Sequence, residues 1–185
     1  MDLCGKFLIA MPAMEDPRFA RSLVLLCAHS DSGAMGLIVN KPSRDLSFSG
    51  LLDQLNIPRK GPGRDIRVHF GGPVERARGF VLHSPDYDAE GGGTMRIGED
   101  FGMTATQDIL AALAEGGGPR SALLALGYAG WGPMQLETEI ARNDWLTADA
   151  TPDLVFAEDD GGKWRGALQR LGIHPLSLSA AAGRA

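Results

Sequence analysis

The sequence predicts an α+β or mixed-sheet fold rather than a doubly wound one, on three observations. Strand-like and helix-like segments intermix without a strict βαβ rhythm. The run "SLVLLCAH", Ser22 to His29, is apolar on both alternating faces: Leu23, Leu25 and Cys27 oppose Val24, Leu26 and Ala28. It therefore reads as a central strand with helices over both sides. Finally, 185 residues with 44% hydrophobic content suffice for one domain with a core of its own.

The elements follow in order. Phe7 to Met11 is a short apolar strand, and Ser22 to His29 with Ala34 to Asn40 forms a hairpin around the turn "SDSG". Phe48, Leu51, Leu52 and Leu55 repeat at i, i+3, i+4 and i+7 and mark a helix that ends before Pro58. Strands follow at Arg67 to Phe70, Phe80 to Ser84 and Met95 to Gly98. Thr104 and Gln107 read as a capping box for a second helix, with Ile109, Leu110 and Leu113 on its apolar face and Gly116 as its stop. Ser121 to Tyr128 is a strand, and the glycines after it read as a turn into a third helix starting at Pro133. That helix has a narrow apolar face, Leu136 and Ile140, with Glu137, Glu139 and Arg142 toward water. Trp145 to Ala148 and Leu154 to Ala157 are the last expected strands. Trp164, Ala167, Leu168 and Leu171 then form a docking helix closed by Gly172, with Ile173 folding back on it. One domain is expected over 1–178, with a frayed tail over 179–185.

Composition excludes several functions. A net charge of -5 and a pI near 5.3 argue against a dominant polyanion partner. Cys4 and Cys27 lack C-x-x-C spacing, so free thiols are expected. No stretch has membrane length, and no lipoprotein signal precedes Cys4, which makes the expected location cytoplasmic and the expected membrane partner none. No metal and no cofactor is expected. The loop with Asp86, Asp88 and Glu90 imitates half a calcium site, but Ile97 stands where the bidentate carboxylate belongs. Cys27 and His29 share a strand face without the geometry of a nucleophile and its base.

Two surfaces stay open as sites. In "LGYAGWGPMQLETEI", Leu126 to Ile140, the glycines are spaced G-x-x-G-x-G rather than G-x-G-x-x-G, and Pro133 removes a donor from the helix start. The stretch reads as a structural turn with Trp131 packed inward; an anion cradle or a partner groove lined by Tyr128 and Trp131 are the alternatives. Separately, Arg59, Lys60, Arg64, Arg67, Arg76 and Arg78 give a basic segment opposed by Asp65 and Glu75. It is a candidate nucleic-acid patch, expected to bind weakly, since no helix-turn-helix or zinc finger accompanies it.

The segments "GKFLIAMPAMEDPRFARSLVLLCAH", "GAMGLIVNKP", "HFGGPVERARGFVLH", "ALGYAGWGPMQLETEI" and "LGIHPLSLS" together resemble the YqgE/AlgH family of bacterial proteins, in order and over nearly the whole chain. The resemblance implies an α+β fold of mixed, branching sheet with surrounding helices and the label of transcriptional regulator, and it implies no catalytic chemistry. Positions matching its motifs include Asn40, Pro42, Gly71, Gly72, Pro73, His83, Gly127, Tyr128, Gly130, Trp131, Gly132, Pro133 and Glu137. The leading expectation is a non-enzymatic regulatory or interaction protein with a protein partner. The runner-up is a small-molecule or nucleotide-binding enzyme whose site lies at the Gly71–Pro73 and Gly127–Pro133 turns, with Asn40, His83 and Glu137 as its polar groups.

Overall fold

The computed structural model describes residues 2–181. Its elements are β1 (Lys6–Ala10), β2 (Leu23–Ser30), β3 (Gly33–Ile38), α1 (Phe48–Gln54), β4 (Val68–Phe70), β5 (Val74–His83), β6 (Thr94–Ile97), β7 (Phe101–Thr104), α2 (Gln107–Ala114), β8 (Ala122–Trp131), α3 (Gln135–Ala141), β9 (Trp145–Asp149), α4 (Pro152–Val155), α5 (Asp160–Arg170) and α6 (Pro175–Ala181). All nine strands join one sheet in the order β6-β7-β5-β8-β3-β2-β1-β9, with β4 added to β8 off this path. The branch lies at β8. One of its edges carries β5; the other carries β4, parallel at Leu124 to Leu126, and then β3, antiparallel at Ala129 to Trp131. The fold is thus α+β with a mixed, branching sheet.

Alternation along β2 explains the helices. Leu23, Leu25 and Cys27 share a core with Trp164, Ala167 and Leu168 of α5, while Val24 and Leu26 face the opposite core with Leu136 of α3, Trp131 and Trp145. Beyond the branch, α1 and α2 bury Phe48, Leu52, Ile109, Leu110 and Leu113 against Val68, Val81 and Leu124. α1 begins where the Ser47 hydroxyl accepts from Gly50 N, which satisfies one of the orphan donors at a helix start.

Several sequence expectations are corrected. Leu154 to Ala157 is not a strand: Pro152, preset for a first helical turn, and Asp153 at the positive helix start nucleate α4 instead. Thr104 does not cap α2. It ends β7, a strand the sequence reading missed, and Thr106 is the N-cap, without a side-chain cap bond. β5 starts at Val74 rather than Phe80. β8 runs on through Gly130 to Trp131, pairing with Met35 and Ala34 of β3, so Trp131 sits in a strand and not in a turn. α3 consequently starts at Gln135, after Met134 turns the chain with a φ of 59°. Ala28 is exposed, because the register shifts between Leu26 and Ala28. Of the expected frayed tail, Ser179–Ala181 continue α6, and 182–185 lie outside the described residues.

Candidate functional site

Glycines bring two chain segments closer than any side chain permits. A Cβ on Gly71 would stand 2.3 Å from Gly127 O, and one on Gly72 only 2.0 Å from the Tyr128 carbonyl carbon. Gly127 itself has a φ of 74°, which glycine adopts without cost. The "FGGP" turn is therefore seated directly on β8. Beyond it, Val74 opposes Tyr128 and Gly79 opposes Leu126, so Glu75 to Arg78 bulge out of register. Glu75 takes a φ of 46° to start the bulge, and Val74 through Arg78 are all exposed. On this segment Arg78 reaches Glu75 at 3.5 Å, while the Arg76 and Arg78 guanidinium groups lie over Phe70 and Phe80 at 5.5 and 5.0 Å.

Three clefts border the bulge. One, of about 340 Å³, lies beside Pro73 and Val74 and is walled by Phe19, Trp131, Glu139 and Trp145. A second, of about 420 Å³, takes in Arg44, Phe70, Arg76 and Leu126. The third, of about 180 Å³, lies between α1 and α2 at Ala77, Gly79 and Val81.

The sequence-predicted residues divide between this surface and the scaffold. Pro73, Gly130 and Trp131 line the first cleft, where Trp131 and Trp145 both donate indole N–H bonds to Glu139, at 2.9 and 2.8 Å, while Gly71 and Gly72 lie against the backbone of Gly127 and Tyr128. Gly132 N donates to the Gln135 side chain at 3.0 Å, which aims Gln135 back at Glu139. Tyr128 does not share a groove with Trp131. Three positions apart on one strand, they face opposite sides, and Tyr128 meets Phe80 edge-on at 6.0 Å. Asn40 is spent on the backbone, accepting from Leu23 N and donating to Arg21 O. Glu137 accepts from His29 Nε2 at 2.8 Å, the His29 Nδ1 taking the Leu3 N–H. The Glu137 carboxyl is held below its usual range, first by its own backbone N–H and then by His29. His83 is at the far end of β8, opposite Ala122, sealed between Ser84 O and Thr104 Oγ1 at 2.7 and 2.8 Å; burial pushes its imidazole below the usual value.

The residues of the basic segment lie on several elements with different partners. Arg64 donates to the carbonyls of Gly117, Pro119 and Arg120 and so ties down the turn after α2. Arg67 reaches Asp160 at 2.7 Å and the Glu158 carbonyl at 2.7 Å. Only Arg76 and Arg78 belong to the bulge, while Lys60 lies 3.8 Å from Glu115.

A polar network missed in the sequence surrounds Asp160. Its carboxylate accepts from His69 Nε2 at 3.0 Å, from Lys163 at 2.7 Å and from Arg67, and Lys163 also donates to Val39 O at 2.8 Å. Burial alone raises the Asp160 pKa, but the hydrogen bonds from His69 and Lys163 overcome it and hold the group down to about 2. His69 and Lys163 have 0% exposure, and His69 Nδ1 is without a hydrogen-bond partner among the described residues. The one sequence signal was the spacing Asp160, Lys163, Ala167, which places an ion pair on the apolar stripe of a helix. Elsewhere, burial drives the Cys27 thiol far above its ordinary value, which keeps it an un-ionised hydrophobe. Among the described residues no group of His, Cys, Asp and Glu could hold a metal ion, and no helix is long and apolar enough to cross a membrane.

Comparison with known proteins bears on this geometry. A UPF0301 protein of Cereibacter sphaeroides strain ATCC 17023 is 68% identical over 185 residues, covering 100% of both chains. One from Jannaschia sp. is 59% identical over 100% of this chain and 96% of its own. The solution structure of the AlgH protein from Pseudomonas aeruginosa superposes with a TM-score of 0.79 at 42% identity, covering 100% of this chain and 97% of that one. A Corynebacterium diphtheriae protein at 24% identity shares the fold, with a TM-score of 0.72 over 96% and 90% of the two chains. With residues 7–176 also matched by the family model described as AlgH-like, the chain belongs to the AlgH-like family (DUF179).

Proposed function

We propose that the chain is a non-enzymatic interaction protein with a regulatory role, which works in the cytoplasm and recognises another protein through the β5 bulge. The observation that carries this reading is the bulge itself. Val74 to Arg78 stand exposed, Glu75 to Arg78 out of register, and three clefts border them. Val74, 37% exposed, stands at the rim of the cleft walled by Phe19, Trp131 and Trp145, which offers a partner an apolar contact beside the polar groups of Arg18, Gln135 and Glu139. The titratable groups that chemistry would use are instead committed to the scaffold: His83, Cys27, Lys163 and Asp160 are buried. Contact with protein fits better than direct reading of nucleic acid, because Arg64 and Arg67 already serve carbonyls and Asp160. Cys4 and Cys27, both free, suit a reducing compartment.

A photo-crosslinking amino acid tests the surface in living cells. Placed at Val74 or Arg78 it should give a discrete adduct with a second protein, and placed at Thr147, exposed on β9 at the far edge of the sheet, it should give none. Val74→Asp should abolish the Arg78 adduct while changing stability by no more than about 0.5 kcal/mol, as surface substitutions usually do. Adducts at Thr147 alone would move the interface to the other edge and end this reading.

A further inference from the structure

On the side away from β8, β5 is left open where β7 ends. β7 pairs with β5 only at Val81, Leu82 and His83, then departs at Thr104 through Ala105 and Thr106 into α2. No other described strand takes its place on that side, so Ala77 to Phe80 present an edge. Unpaired strand edges are templates for another strand, and folds normally shorten, charge or cover them. Here the edge is instead joined to an apolar recess. Ala77, Gly79 and Val81 alternate along β5 and so share one face, and the third cleft opens on that face between Leu51 of α1, Leu55 at its C-cap and Leu110 of α2. Small residues at 77 and 79 leave the space empty. A segment continuing the line of β7 past Thr104, about 4.8 Å from β5, would hydrogen-bond to the edge and lower an aliphatic side chain between the two helices.

Charge selects the occupant. The exposed stretch Val74 to Arg78 carries Arg76 and Arg78 against Glu75 alone, and beside it Arg44 and Arg76 flank the second cleft with Asp45 as the only carboxylate there. Two copies of this chain joined edge to edge would set four arginines against two glutamates, which disfavours self-pairing. An acidic strand would neutralise them. Resting on the interaction reading above, we infer that the β5 edge binds an extended acidic peptide segment of a partner protein by strand addition, with one aliphatic anchor in the recess between α1 and α2.

Selection from a displayed library of random peptides about ten residues long on the full chain tests this. The enriched sequences should combine Asp or Glu with Leu, Ile, Val or Met at alternate positions. In a titration with one such synthetic peptide, the amide resonances of Ala77 to Val81 should shift. Ala77→Leu fills the recess from an exposed position, and Arg76→Glu with Arg78→Glu reverses the charge; each should weaken peptide binding at least about tenfold. The charge variant should also lose most of the salt dependence. Enriched peptides without acidic residues, or shifts confined to other strands, would overturn the inference. So would a concentration-dependent dimer of the peptide-free chain that Ala77→Leu abolishes, since it would make a second copy the occupant. If crosslinks at Val74 persist while selection yields no β5-edge binder, the partner class is wrong and the interaction surface stands; loss of both would remove the surface as well.

Discussion

Replacing Asp160 by asparagine should lower the unfolding free energy by about 3–5 kcal/mol, the cost of breaking a buried charge network from one side. The carboxylate receives three cationic or imidazole donors from different elements: His69 of β4, Arg67 just before it, and Lys163 one turn along α5. An amide offers one oxygen in place of two and turns a nitrogen donor toward one of them. Lys163 suffers most. With 0% exposure its only other acceptor among the described residues is Val39 O, and burial already pushes its pKa below that of a free lysine, an effect Asp160 opposes. Urea denaturation should show a lower midpoint at unchanged m. Because what is lost is an uncompensated charge, Asp160→Leu combined with Lys163→Met should recover much of the stability. The pH dependence gives a second readout. Asp160 titrates at about 2 in the fold against 3.8 for an unperturbed carboxyl, so its contribution is complete above 3.8 and is lost as pH falls through 2. The gap between wild type and Asp160→Asn should therefore narrow across that window. A gap equally wide at both ends would assign the loss to packing rather than to charge.

Alternation made the central strands legible: β2, apolar on both faces, could only lie between two helical layers, and it does. The apolar stripe of α5 was equally plain, although its start was read one turn late. "DDGG" looks like a loop, yet the Asp159 carboxylate accepts from Gly162 N and begins the helix there. What the sequence concealed depends on neighbours distant in the chain. Glycine at 130 signals a turn when read alone, but in the sheet it lies in register with Met35 of β3. Four-residue β7 has no period to detect, and it exists because β5 and β6 flank it. The site was half legible for the same reason. "FGGP" and "GYAGWG" were visible as glycine-rich turns, but only the backbone contact of Gly72 with Tyr128 reveals that they are one feature, and only the end of β7 reveals the open edge.

Trp131→Ala should cost about 3–5 kcal/mol, as for other buried large aromatic residues. The ring is the last of β8 and 6% exposed, stacked edge-on to Trp145 at 6.0 Å and tilted against Phe19 at 6.4 Å. Glu139 is the hinge of the arrangement, because one of its oxygens takes both indole N–H groups and the other takes Gln135. Truncation leaves Glu139 two of its three donors, so the loss comes mainly from the cavity and the forfeited aromatic contacts. Trp131→Phe separates the two terms in part: it keeps one aromatic ring and loses the hydrogen bond together with the pyrrole half of the indole, and should cost about 1–3 kcal/mol. A clear drop in the denaturant midpoint for alanine, a smaller one for phenylalanine, and no rise of the wild-type midpoint with phosphate or nucleotide are the expected results. They would fix this indole as the brace between β8, α3 and β9. Alanine without loss of stability, accompanied by loss of the Val74 crosslink, would instead make the ring part of the partner surface, extending the interface from the bulge across the first cleft.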